Sequence, residues 1–193
     1  DVIDQVTFPK LERDVTYGRF PNASGSFKRL SDPSPGAANI AIRTVGSIVI
    51  NELMAVNNGA DRDEDFEAED WIEFYNRSSQ PIDLGGTYLT DSVGELTMHR
   101  IPITSPDSTT VQPGGFLRFW CDAQPRTSIL HIDFKLGRGG EKITFVQPDG
   151  LTIIQQVRYP SSSSDASFGM YPDGDGDWTY LNTPTPKSAN SFN

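Results

Sequence analysis

Few side chains in this sequence are of a type and spacing that could do chemistry, and most of those are acidic. Asp173, Asp175 and Asp177 stand in PDGDGDW (172–178). A D-x-D-x-D spacing can place oxygens around a hard cation such as Ca2+. As an EF-hand loop the pattern is incomplete, because Trp178 holds the sixth position, where glycine is needed, and Pro184 the twelfth, where glutamate is needed. The second concentration is DRDEDFEAED (61–70), in which seven of ten residues are acidic, Asp61, Asp63 and Asp65 among them. Such a run is a calcium loop, a dock for a basic partner, or a solvated loop. Mutual repulsion favours a bound cation, and ordinary turn chemistry favours solvent.

Two glutamates stand out by strand alternation. Glu52 shares a parity with Ile48, Ile50 and Met54, and Glu73 shares one with Trp71 and Tyr75. A carboxylate on an apolar face needs a partner. Paired carboxylates also suit glycosidic acid–base work, but both glutamates lie in strand-like segments and read as structural. His99 and His131 are the only histidines, and no G-x-S-x-G elbow accompanies them. Cys121 sits among aromatics and reads as a small core hydrophobe. NAS (22–24) and NRS (76–78) are glycosylation sequons, of use only in a eukaryotic secretory pathway.

The elements that must position these groups are strands. SIVINELM (47–54), DWIEFYN (70–76), GGTYLTD (85–91), GFLRFWCD (115–122), HIDFKL (131–136), EKITFVQ (141–147) and LTIIQQVRY (151–159) are rich in β-branched and aromatic residues. Turn signals such as QPGG (112–115), GRGG (137–140) and QPDG (147–150) separate them. The spacing predicts an all-β sandwich or barrel, with at most one turn of helix, in the acidic stretch. The 193 residues carry a formal charge of −10, which argues against a nucleic-acid surface. No run approaches the length of a membrane-spanning helix, and a single cysteine excludes an internal disulfide.

The chain repeats part of itself. Displaced by 151 positions, residues 2–39 lie on residues 153–190 without a gap, and thirteen of the thirty-eight positions are identical. Chance would give about two. Asp173, Asp175 and Asp177 fall on Asn22, Ser24 and Ser26, so the repeated unit tolerates losing all three carboxylates. The expected organisation is the tail of a preceding module (1–40), a linker (41–46) and one complete module (47–193). Residues 1–39 are neutral and residues 51–100 carry a net −9, so the charge belongs to the acidic insert.

The order IVINELMA, DWIEFYNRSSQPIDLGGTYLTD, VQPGGFLRFW, LHIDFKLGRGGEKITFVQPDG and SFGMYPDGDGDW…TPTPKSAN resembles the lamin tail domain in its bacterial and archaeal form. The resemblance implies an immunoglobulin-like β-sandwich without catalysis, from a tandem-module protein that is secreted or held at the cell surface. The nuclear branch fits less well, since no heptad rod, basic localisation run or C-terminal prenylation cysteine is present. Expected partners are another protein or a second copy engaged by strand exchange. The rival expectation is an ancillary domain that brings a hydrolase to a polysaccharide or other polymer.

Overall fold

The computed structural model describes residues 3–11, 15–30, 33–39, 45–124 and 128–192. Its elements are β1 (Thr16–Phe20), β2 (Ser26–Leu30), β3 (Ile48–Met54), β4 (Asp70–Asn76), β5 (Ile82–Asp83), β6 (Tyr88–Thr90), β7 (His99–Arg100), α1 (Pro106–Thr109), β8 (Thr110–Val111), β9 (Phe116–Cys121), β10 (His131–Ile132), β11 (Lys142–Val146), β12 (Ile153–Arg158), β13 (Ser167–Tyr171) and β14 (Asp177–Leu181). A six-stranded sheet runs β10-β9-β4-β3-β13-β14, and a four-stranded sheet runs β12-β11-β6-β7. The two stack face to face through one core, in which Ile50, Leu53, Ile72, Phe74 and Phe119 of the larger sheet meet Leu89, Ile143, Phe145 and Val157 of the smaller. Phe74 is the hinge of this packing, with ring centroids 4.8 Å from Phe145 and 5.8 Å from Phe119. Cys121 is fully buried in the same core as a free thiol. Among the described residues no helix is long and apolar enough to cross a membrane.

Strand alternation fails at one informative place. The β3–β4 register runs Ile50↔Phe74, then Glu52↔Glu73 and Leu53↔Ile72, so Asn51 is the extra residue of a bulge. Ile50 and Leu53 therefore face the core together, while Glu52 and Met54 face outward. Alternation had put Glu52 on the side of Ile48 and Ile50; the bulge moves it to the opposite face. Gln155 of β12 reaches across the sandwich beside this irregularity. Its Oε1 accepts from Ile50 N at 2.7 Å, and its Nε2 donates to Ile50 O at 3.2 Å. Gln147 treats Val45 in the same way.

Two other expectations change. HIDFKL makes only a two-residue strand, parallel to β9. Phe134 and Leu136 still turn inward beyond it, but the backbone there has no ladder. The single helical turn is not in the acidic stretch. It falls at α1, where Pro106 pre-sets the first turn and the buried Thr109 hydroxyl donates to Asp83 at 2.6 Å.

The hairpins β1–β2 and β13–β14 keep one register, Thr16↔Leu30 through Phe20↔Ser26 against Ser167↔Leu181 through Tyr171↔Asp177. Asn39 Nδ2 donates to Arg19 O at 2.9 Å as Asn190 Nδ2 donates to Met170 O at 2.8 Å. Asn39 N donates to Asn22 Oδ1 as Asn190 N donates to Asp173 Oδ1. A Cβ on Gly18 would lie 2.8 Å from Asn39 Nδ2, and one on Gly169 would lie 2.6 Å from Asn190 Nδ2. Glycine is required at both positions by the asparagine that crosses the hairpin.

Candidate functional site

The outer face of the six-stranded sheet carries the polar groups. The registers Glu52↔Glu73↔Arg118 and Met54↔Trp71↔Trp120 set two rows across β3, β4 and β9. All six side chains are buried, because two covers lie over the face: the loop 57–69 and the segment 182–190. Each cover is held by side chains of these rows. Glu52 accepts from Ser167 Oγ, from Thr185 N at 3.0 Å and from Thr185 Oγ1 at 2.9 Å. Glu73 accepts from Lys187 N at 2.7 Å. Its other oxygen has no partner among the described residues. Burial pushes the Glu73 carboxyl up to about 8, with the Glu52 charge adding to the rise, so Glu73 is a neutral acid at pH 7. Burial raises Glu52 too, against the pull of its three donors.

Arg118 closes the row. Its guanidinium lies 3.8 Å from the Trp120 ring centroid and pairs with Asp61 from the acidic loop. Burial lowers Arg118 to about 10, which leaves it charged at neutral pH. His131 joins from β10, with Nδ1 2.7 Å from Asp122 Oδ2 and Nε2 3.3 Å from Glu64 Oε1. Burial pulls this imidazole down, but the two carboxylates outweigh it and hold His131 above its ordinary value. A cavity of about 350 Å³ remains between cover and sheet, bounded by Arg62, Glu64, Phe116, Arg118, Trp120 and Lys187. The other histidine, His99, bonds Asp133 at 2.8 Å on a different sheet.

The acidic loop is folded on itself by its own side chains. Asn57 Nδ2 donates to the carbonyls of Asp61 and Glu69, at 2.8 and 2.9 Å. Asp63 Oδ1 accepts from the backbone of Asp65 and Glu67, at 2.9 and 2.8 Å. So Asp61 faces an arginine, Asp63 caps a turn, and Asp65 is exposed. In the last loop, Asp173 Oδ1 accepts from Asn51 Nδ2 at 2.8 Å, Asp175 pairs with Arg77, and Asp177 begins β14 at the surface. Among the described residues no three His, Cys, Asp or Glu side chains gather in a group that could hold a metal ion.

Sequence reasoning singled out Glu52 and Glu73 but missed Arg118, Trp120 and His131 as their neighbours. The signal was present in FLRFWC, where alternation puts Arg118 and Trp120 on one face. What it lacked was the register that sets that strand beside β4.

The lamin tail domain family matches residues 42–185, most of the chain. The chain belongs to this family. The family has the immunoglobulin-like fold and is typically non-catalytic, and the fold agrees with the sandwich described above. No curated protein and no solved structure matches the chain.

Proposed function

We propose that this chain is a non-catalytic interaction and structural module of a multi-module bacterial or archaeal protein, secreted or held at the cell surface. One observation carries the reading. The buried titratable groups described on the outer face hold the covers in place: Glu52 and Glu73 the segment 182–190, Arg118 and His131 the acidic loop. Support for further modules comes from residues 3–8. Ile3, Val6 and Phe8 are exposed there, whereas Val157 and Tyr159, the counterparts of Val6 and Phe8, are buried. A panel of esterase, phosphatase, nuclease and glycosidase substrates, with and without calcium, is expected to stay silent; turnover abolished by Glu73→Gln would overturn the reading.

A second reading has its own observation. Tyr171 and Phe192 stand edge to face at 5.0 Å, and both are exposed. Such rings suit stacking on sugars of a polymer, as in an ancillary targeting domain. Retardation in polysaccharide-containing native gels, lost in Tyr171→Ala with Phe192→Ala, is the result that favours it.

A further inference from the structure

In the complete module, β13 is the middle strand of three: β14 on one side and β3 on the other, through Phe168↔Leu53 and Gly169↔Glu52. The β3 strand enters this edge with its Asn51–Glu52 pair. Asn51 Oδ1 accepts from Gly174 N at 2.9 Å and Asn51 Nδ2 donates to Asp173 Oδ1. The Glu52 carboxylate takes the Ser167 hydroxyl and the Thr185 N–H and hydroxyl.

The N-terminal hairpin presents the same receptor. Ser167 corresponds to Thr16, Asp173 to Asn22, Gly174 to Ala23 and Thr185 to Ser34, and each position keeps a group able to make its counterpart's hydrogen bond. The backbone conformation is kept too, since Ala23 has φ +62° where Gly174 has +78°. Ser34 Oγ lies 3.0 Å from Asn39 Oδ1, as Thr185 Oγ1 lies 2.8 Å from Asn190 Oδ1. Yet β1 pairs only with β2 among the described residues. A cavity of about 300 Å³ lies along its other side, bounded by Thr16, Gly18, Ser34, Pro35 and Asn39. Thr16 and Asn39 are half-buried, whereas Ser167 and Asn190 are buried.

We propose that this cavity is the seat of one extended strand carrying an Asn–Glu pair between aliphatic residues, the opening strand of a further module, which adds to the β1 edge as β3 adds to β13. The carboxylate would be held by Thr16 Oγ1 and by the N–H and hydroxyl of Ser34, and the asparagine by Ala23 N–H and Asn22 Oδ1. This deepens the interaction-module reading and rests on it for the existence of such a strand.

The test is a titration of the ¹⁵N-labelled full chain with a peptide of residues 47–55, SIVINELMA, bearing a lysine tail for solubility. The amides of Ala23 and Ser34 are expected to shift saturably, while those of Gly174 and Thr185 stay fixed. Peptides carrying Asn51→Ala or Glu52→Gln should each bind about tenfold more weakly, since each leaves donors or acceptors unpaired. Thr16→Val with Ser34→Ala in the chain should weaken binding to a similar degree. The proposal is overturned by no saturable shift in residues 16–39, by equal affinity of the altered peptides, or by movement of Gly174 and Thr185 instead. Concentration-dependent dimers that shift the hairpin amides without peptide would assign the edge to a second copy and overturn it as well. Turnover in the substrate panel would sink the broader reading and leave this binding result untouched.

Discussion

Glu52 and Glu73 lie directly opposite each other on β3 and β4, both with no exposed surface, and each grips the backbone of the same outgoing segment. Two carboxylates so placed cannot share one protonation state cheaply. Their environments separate them. Glu52 has three donors that favour its charge, and Glu73 has one donor and an oxygen without a partner.

Glu73→Gln is therefore expected to be tolerated. The folded carboxyl titrates near 8 against an ordinary value of 4.5. Its contribution to stability is full below pH 4.5, declines as pH rises, and is gone above 8. Urea unfolding should give wild type and variant similar stabilities at pH 4, and the variant an advantage of about 2–4 kcal/mol at pH 8.5. Equal pH profiles would show that Glu73 is not a buried neutral acid.

Glu52→Gln should behave in the opposite way. With Nε2 in place of Oε1 the amide meets the Thr185 N–H, and in place of Oε2 it forces the Thr185 hydroxyl to turn and accept, so one present bond is lost at a cost of about 1–3 kcal/mol at pH 7. Faster proteolysis of the segment 182–190 should accompany it. A variant as stable as wild type would contradict the hydrogen bonding described above.

The two histidines should titrate on opposite sides of 6.5. Burial lowers His99 in spite of Asp133, whereas Asp122 and Glu64 hold His131 up in spite of burial. Proton NMR of the two imidazoles resolves them directly. Asp122→Asn should bring His131 down and remove the stability that is otherwise lost as pH rises through its folded value.

Asp61→Asn leaves Arg118 charged under cover without its counter-ion. Unpaired burial of this kind costs about 3–5 kcal/mol when complete. The part-exposed Asp61 and the Trp120 stacking reduce the expected loss to about 2 kcal/mol. Indole fluorescence should change as well, since the guanidinium lies over Trp120. Loss of stability without a fluorescence change would place the arginine elsewhere.

Calcium is expected to leave the melting temperature unchanged. Asp61 and Asp175 face arginines, Asp63 is engaged with its own turn, and Asp173 with Asn51 and Asn190. A calcium-dependent rise that survived Asp173→Asn with Asp175→Asn would locate an ion in the acidic loop.

Much of the sandwich was legible because its strands obey local rules. DWIEFYN and FLRFWC carry β-branched and aromatic residues between plain turn signals, and they fold where those signals put them. The bulge at Asn51 was not legible, because nothing local distinguishes INEL from a regular strand. It is stabilised by partners more than a hundred residues away, Gln155 on one side and Asp173 with Gly174 on the other. The site shared this fate. Glu52 was placed on the wrong face for that reason, and the covers over it come from loops whose positions depend on the finished sheet.

The clasp between Glu52, Glu73 and the segment 182–190 also has a mechanical meaning. Tension applied beyond Asn190 first loads the Asn190 bonds to Met170 O and Asp173 Oδ1 and then the backbone of Lys187 and Thr185, where it meets two buried side chains rooted in central strands. Modules joined in series would thus yield first at these side-chain grips, sparing the ladders.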